Sequence, residues 1–281
     1  RIDVGNMTGR LGEDDLHDEV MRGIRTAMDE VKPDAWLVAE NGDFVASDLD
    51  GFGWHGAMNY QGFMRPLWNW INQNSSIGGG FQGLPFEMPK IGGKSLVASM
   101  VQFSSSIPWR SLVASMVLLD SHDTARMRTV VSGDRKAHLS AMTAMLTYPG
   151  VPSIFAGDEI GLEGSWGEDS RRTINWEDRS GWDHDFLAEA KKLIELRRTQ
   201  DGLIEGGLRW VAVEDNFICY LRESNKQSVL VFISRKAVRT EIDLAGYGLK
   251  VVKTLYGPDA TGGSIKIDSD GATQGIWEVK S

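Results

Sequence analysis

Short apolar runs that stop on polar residues alternate with stripes of helical period from residue 1 to about residue 200. Arg1-Ile2-Asp3-Val4 reads as the last residues of a strand, with Arg1 and Asp3 on one face because strand side chains alternate. Apolar residues at 16, 20, 24, 27, 28 and 31 predict a helix that Pro33 closes. Ala35 to Ala39 predicts a buried strand ending on Glu40. Gly51 to Gly56 is turn-like, Ala57 to Tyr60 predicts a third strand, and Phe63, Leu67, Trp70 and Ile71 mark a second helix. Ser75 to Lys94 is rich in Gly and Pro and predicts a long loop. Val117 to Asp120 and Val151 to Ala156 predict two more buried strands, separated by a helix over Leu139, Met142, Met145 and Leu146. Phe186, Leu187, Ala190, Leu193 and Ile194 mark the last helix. Strands alternating with helices predict a parallel sheet covered by helices.

The pattern changes after residue 200. Phe217–Leu221, Val229–Ile233, Glu241–Leu244, Val251–Tyr256, Ile265–Ile267 and Ile276–Val279 are short strand-like runs separated by polar or Gly-containing breaks. They predict a small antiparallel β domain of ordinary size. The string Ser-Leu-Val-Ala-Ser-Met-Val occurs at 95–101 and again at 111–117, an echo too short to define a repeat architecture.

Composition narrows the picture only in places. At 281 residues with 41% hydrophobic and 25% charged positions, the chain has the makeup of a soluble globular protein. No apolar run is long enough to span a bilayer, so no membrane partner is expected. A net charge of −9 without a basic run argues against nucleic acid. The lone Cys219 excludes an internal disulfide and favours a reducing, cytoplasmic setting. The chain opens on Arg1 without a Met, so its true start is not in view. Ten Trp residues suit sugar stacking, but most are expected to be core.

The candidate chemistry sits where strands end. Asp3, Glu40 and Asp123 each follow a buried strand, with His122 next to Asp123. On a regular strand His122 and Asp123 would point to opposite faces, so the chain must already be turning for both to reach one ligand. In a (β/α) barrel the C-terminal strand ends meet in one pocket. Carboxylates gathered there repel, and two chemistries justify the cost. Retaining glycoside cleavage needs two carboxyl groups about 5–5.5 Å apart. A hard metal ion needs oxygen ligands. Arg1 beside Asp3 favours the first, because a cation keeps a nucleophilic carboxylate ionised and competes with a metal. A structural Arg1–Asp3 ion pair, and an Asp123 that only caps the next helix, remain the plainer alternatives.

The motifs resemble those of the α-amylase family of glycoside hydrolases. Arg1-Ile2-Asp3-Val4 resembles its fourth-strand motif and Val38-Ala39-Glu40 its fifth. Met58-Asn59-Tyr60 resembles the sixth strand and Ser121-His122-Asp123 the seventh. Tyr148-Pro149-Gly150-Val151-Pro152 with Ala156-Gly157-Asp158-Glu159-Ile160-Gly161 resembles the eighth-strand region, and Arg171-Arg172 with Trp176 the segment after it in maltodextrin-cleaving members. The resemblance implies an α/β fold: a partial (β/α)8 TIM barrel from the end of strand four to helix eight over residues 1–200, then a C-terminal antiparallel β-sandwich over 201–281. It implies Asp3 as nucleophile, Glu40 as acid/base and Asp123 as the group holding the sugar hydroxyls. It further implies His122 as a hydroxyl partner, Arg1 as the residue orienting Asp3, and Arg171 as a contact to a sugar further from the cut. The division of roles requires Glu40 to hold its proton near neutral pH, which a dry surround would favour.

Departures narrow the expectation. Asn6-Met7 stand where starch-binding members often carry Lys-His, which points to neopullulanase, cyclomaltodextrinase or α-glucosidase-like members. Gly167 replaces a subsite aspartate, although Asp169 is near. The family's Asn-His motif after strand three is absent. The chain is therefore expected to be a C-terminal portion, inactive alone, needing no cofactor at its visible residues. A calcium ion, where the family uses one, would belong to the preceding part. The expected partner is an oligosaccharide, with oligomeric state unspecified. The expected reaction is retaining hydrolysis of α-1,4-linked maltodextrin-type substrates. The alternatives are an α-glucan transferase or isomerase on the same site and a non-catalytic α-glucan-binding protein.

Overall fold

The computed structural model describes residues 1–42, 45–72 and 87–281. In chain order its early elements are β1 (Arg10–Leu11), β2 (Asp14–Asp15), α1 (His17–Val31), β3 (Val38–Ala39), β4 (Gly56–Ala57) and α2 (Arg65–Ile71). Next come α3 (Gly93–Ser105), α4 (Trp109–Ala114), β5 (Met116–Leu118), α5 (Met127–Val130), α6 (Arg135–Thr147), β6 (Val151–Ser153), α7 (His184–Thr199) and α8 (Asp201–Glu205). The remaining strands are β7 (Gly207–Glu214), β8 (Phe217–Glu223), β9 (Ser228–Ser234), β10 (Val238–Asp243), β11 (Lys250–Tyr256), β12 (Ser264–Ser269) and β13 (Gln274–Lys280). These elements fall into two compact units. One holds residues 1–66, 98–118 and 150–153, the other the rest of the described chain.

The first unit is built on a parallel ladder that runs in chain order. Ile2 bridges Ala39, β3 pairs β4, Met58 bridges Met116, and β5 pairs β6, all parallel. The strands are shorter than the apolar runs suggested, since regular pairing covers only Val38–Ala39 of 35–39 and Val151–Ser153 of 151–156. Asn59 already leaves the strand and caps a π-helix over Tyr60–Met64, accepting from the N–H of Gly62 at 2.8 Å. The core here gathers Met21, Leu37, Ala39, Leu49, Trp54, Ala57, Phe103 and Leu112.

Helix α1 forms where expected and packs Ile24 and Met28 of the expected stripe inward, but its N-terminal end turns a different face to the core. His17 and Met21 are buried, with Ile24 and Met28 packed behind them, whereas Leu16 and Val31 are 55% and 87% exposed. The polar first residue sets this rotation. His17 is held by the carbonyl of Thr8 at 2.7 Å and faces Asp48 at 3.3 Å, anchors that a hydrophobic stripe does not reveal.

The twin strings take different structures. Residues 95–101 lie wholly inside α3, whereas 111–117 leave α4 at Ala114 and enter β5 at Met116. Ser111 donates to the carbonyl of Leu49 at 3.1 Å. Ser115 donates to the carbonyl of Ser111 at 2.7 Å and accepts from the N–H of Ala57 at 3.2 Å. Tertiary partners thus override identical local propensity. Of the expected loop Ser75 to Lys94, residues 75–86 lie outside the described residues, and Gly93 and Lys94 already belong to α3.

The second unit carries the β-rich part. Strands β11, β13, β9, β8 and β7 form an antiparallel sheet in that order, and β10 pairs β12 antiparallel. Phe217, Cys219, Leu230, Phe232 and Trp277 of the first sheet share one core with Ile242, Ile265 and Ile267 of the pair, so the two sheets pack as a sandwich. Strand β7 was not anticipated. A bulge between Trp210 and Ala212 interrupts its alternation, and its residues are mostly half-buried.

Arg222 on β8 is 1% exposed, and among the described residues its hydrogen bonds go to main-chain oxygens. It donates to Gly206 at the end of α8 at 2.8 Å and to Thr147 at the end of α6. Helix C-termini offer unpaired carbonyls and negative potential, which suit a guanidinium. Burial nevertheless pulls its pKa down to about 10.

The tryptophan expectation fails. Trp54, Trp68, Trp70 and Trp277 are buried, whereas Trp36, Trp109, Trp166 and Trp176 are 40–61% exposed. Among the described residues no helix is long and apolar enough to cross a membrane.

Candidate active site

The first unit brings Arg1, Asp3 and Glu40 together. The ladder sets their register, with Ile2 donating to the carbonyl of Val38 at 2.9 Å and Glu40 donating to that of Ile2 at 2.8 Å. Arg1 then bonds both acids, Nη1 to Asp3 Oδ1 at 2.7 Å and Nη2 to Glu40 Oε2 at 2.8 Å. The cation expected beside Asp3 is therefore shared. Glu40 is the drier of the two, its side chain 17% exposed against 75% for Asp3.

The turn after Asp3 is strained. Val4 sits at φ 44°, ψ 51°, a left-handed conformation that a β-branched residue rarely adopts, and its N–H donates to Glu40 Oε2 at 3.0 Å. Gly5 follows, donating to the carbonyl of Glu40 at 2.7 Å. A Cβ there would lie 2.8 Å from that of Ala39, so only glycine lets the turn close this tightly.

The second unit brings His122, Asp123 and Arg171 together. The N–H of Ser121 donates to Thr124 Oγ1 at 2.9 Å, and that of Asp123 to Ser121 Oγ at 3.2 Å. The chain has left the strand by this point, as the adjacency of His122 and Asp123 required. Their side chains meet at 3.2 Å. Arg171 donates to Asp123 Oδ1 at 3.0 Å and to the carbonyl of His122 at 2.9 Å. All three are 37–43% exposed, and His122 and Arg171 line an open cavity of about 570 Å³ together with Phe155, Ile174 and Trp176.

Sequence reasoning passed over three supports of this turn. Arg126, 1% exposed, donates to Asp158 at 2.8 Å, to the carbonyl of Ser170 at 2.8 Å and to that of Ala156 at 3.0 Å. Asp120 accepts from the N–H of Met127 at 2.6 Å. Burial raises the pKa of Asp120, and burial with the neighbouring Asp120 carboxyl raises that of Asp158 well above the ordinary range. The signal available in sequence was three charged residues at apolar strand ends. Asp169 differs in kind: the N–H of Ser165, then Arg172, then the Ser165 hydroxyl lower its pKa to about 2. Among the described residues no group of three or more His, Cys, Asp or Glu is arranged to hold a metal ion.

A model of the alpha-amylase catalytic domain matches residues 12–188, well over half of the chain, and the chain belongs to that family. The matched stretch contains Glu40, His122, Asp123 and Arg171, while Arg1 and Asp3 lie before it. Its relatives include a cyclomaltodextrinase from a Bacillus species, 29% identical over 259 residues that make up 91% of this chain and 40% of that enzyme. The intracellular maltogenic amylase of Bacillus subtilis is 28% identical over 247 residues, 87% of this chain and 38% of that one. The chain thus spans about 40% of the length of these curated relatives. They include the cyclomaltodextrinase side of the family to which Asn6-Met7 pointed. The debranching enzyme of Nostoc punctiforme in its native form superposes with a TM-score of 0.83 at 23% identity, over 98% of this chain and 57% of that one, a likeness of fold.

Proposed function

We propose that this chain carries the nucleophile, the acid/base and the sugar-holding aspartate of a retaining hydrolase of α-glucosidic bonds in maltodextrin-type oligosaccharides. The observation that carries the reading is the single guanidinium of Arg1 bonded to both Asp3 and Glu40. It holds two carboxyl groups as neighbours, as double displacement at one carbon requires. Asp3 attacks the anomeric carbon while Glu40 gives its proton to the departing oxygen. A covalent glycosyl ester forms on Asp3. Glu40 then takes a proton from water, which attacks the same carbon and frees Asp3.

Asp123 and His122 hold hydroxyls of the reacting sugar, and Arg171 acts beside them. Exposed Trp176 and neighbouring Phe155 offer flat apolar faces of the kind sugar rings stack on. No cofactor enters these steps. Any calcium belongs to the preceding part of the barrel, and the setting is cytoplasmic.

The parallel ladder from Ile2 to Ser153 is read as strands four to eight of a (β/α)8 barrel, with residues 1–200 catalytic and 201–281 the β-sandwich. Activity then belongs to a longer polypeptide, and residues 1–281 alone are expected to be inactive. Assaying both forms on maltose, maltodextrin, pullulan and cyclodextrins tests this; turnover by the 281-residue chain alone would refute it. Proton NMR of fresh product tests the mechanism. The α anomer must appear first, and a β product ahead of mutarotation would exclude double displacement.

A further inference from the structure

The turn presenting His122 and Asp123 rests on two buried carboxyl groups. Asp120 immediately precedes the turn and Asp158 comes from the segment after β6, each 2% exposed. Asp158 accepts from Arg126, while Asp120 Oδ2 accepts from the N–H of Met127. Asp120 Oδ1 is buried and has no hydrogen-bond donor. The two carboxyl groups lie within hydrogen-bonding reach of each other.

The charge balance of this cluster is the informative point. Two ionised carboxylates against one guanidinium would leave a net negative charge in a dry space, with two acceptor-only groups facing each other. A single retained proton cancels that charge and supplies the donor that Asp120 Oδ1 otherwise lacks. Glu159 does not enter the balance, because it accepts from the N–H of Gly157 at 2.8 Å. The guanidinium of Arg128 packs against Gly161 and pairs with Asp183.

We propose that Asp120 and Asp158 hold one proton between them and, with Arg126, form a positioning unit that fixes the turn bearing His122 and Asp123. The link to the turn is continuous. Arg126 bonds the carbonyl of Ser170, and the Ser170 hydroxyl donates to the carbonyl of His122 at 3.3 Å. The upward displacement of both acids agrees with a shared proton. The positioning role rests on the glycosidase reading, but the shared proton does not.

The test uses Asp158→Asn, Asp120→Asn and Asp158→Leu in the complete polypeptide. An amide at 158 supplies a permanent donor in place of the proton, so Asp158→Asn should keep kcat close to wild type. Asp158→Leu leaves Arg126 and Asp120 without that partner and should lower kcat on the order of a hundredfold through misplacement, with a smaller change in KM.

Two readings do not depend on activity. Wild type should show the infrared band of a neutral buried carboxylic acid near neutral pH, and both Asn variants should lack it. The folded pKa is raised, so the proton's contribution to stability is complete below the unfolded value and is lost as pH rises through the folded one. Wild type should therefore lose melting temperature relative to Asp158→Asn as pH rises above the ordinary carboxylate range, because the folded pKa is raised. Identical infrared spectra with parallel stability curves would overturn the shared proton. Equal losses of kcat in Asp158→Asn and Asp158→Leu would overturn the positioning role, and Asp120→Asn repeats that comparison if the leucine variant fails to fold. A wild type without glycosidase activity would refute the functional reading while the infrared and stability results still decide the proton.

Discussion

Arg171 bonds the carboxylate of Asp123 at 3.0 Å while its Nε holds the carbonyl of the preceding residue. The resemblance implies that Arg171 contacts a sugar further from the cut, and its bond to Asp123 adds the expectation that it also braces that carboxylate. Arg171→Met should lower kcat/KM by roughly tenfold to a hundredfold, since a free Asp123 samples unproductive rotamers. Folding stability should change by less than about 1 kcal/mol, because the pair is well exposed to solvent. Kinetics on a chromogenic α-glucoside beside thermal melts separates the two, and unchanged kinetics would return Arg171 to a peripheral role.

Asp3→Asn should abolish turnover in the complete polypeptide while leaving substrate binding largely intact, because the covalent step is lost and the pocket is not. Glu40→Gln should lose far less on a substrate with an activated leaving group than on maltotriose, since such a group departs without a proton. Wild-type-like turnover in the first variant, or equal losses in the second comparison, would remove the assigned roles.

Val4→Gly should leave stability slightly raised or unchanged. Relief of the left-handed strain is worth about 1–2 kcal/mol, and the added chain entropy of glycine takes back about 0.5–1 kcal/mol. Activity should fall all the same, because the N–H that Val4 aims at Glu40 is no longer held in place. A variant that gains stability and keeps full kcat would show that the strain has no catalytic purpose.

His138 should make the fold acid-sensitive. It is fully buried, accepts from Arg128 Nε at 3.1 Å and stacks on Phe186 at 4.3 Å. Burial, and then the Arg128 charge, hold its pKa well below the ordinary histidine value. The unfolded chain therefore binds the proton more readily, and stability is lost as pH falls below about 6.5, by up to roughly 1.4 kcal/mol per pH unit. Urea unfolding at pH 7 and pH 5 should show a smaller acid loss in His138→Gln than in wild type; equal losses would assign the sensitivity elsewhere.

The catalytic candidates were legible because chemistry-bearing residues at the ends of apolar runs are rare and local. Glu40 directly follows β3, and the His122–Asp123 turn lies a few residues past the end of β5 at Leu118. What was not legible depends on partners distant in sequence. The face that α1 buries is chosen by His17 with Thr8 and Asp48. The fate of two identical strings is chosen by Ser111 and Ser115 finding Leu49 and Ala57. Arg126 is held by Asp158 and Ser170, which lie far from it in sequence. Composition misled most over tryptophan, where number says nothing about which rings face water.

The sequence changes character near residue 200, and a reader of modular proteins would place a seam there. Arg222 argues that the seam is not a place to cut. Its guanidinium serves as the terminal plug of α6 and α8, so a swap of the β-rich segment for that of a relative would strand the carbonyl of Thr147 without a donor in a dry interior. Recombination between family members at this point should succeed only where the incoming strand supplies an equivalent guanidinium. Crossovers placed before α6 would carry both sides of the lock together.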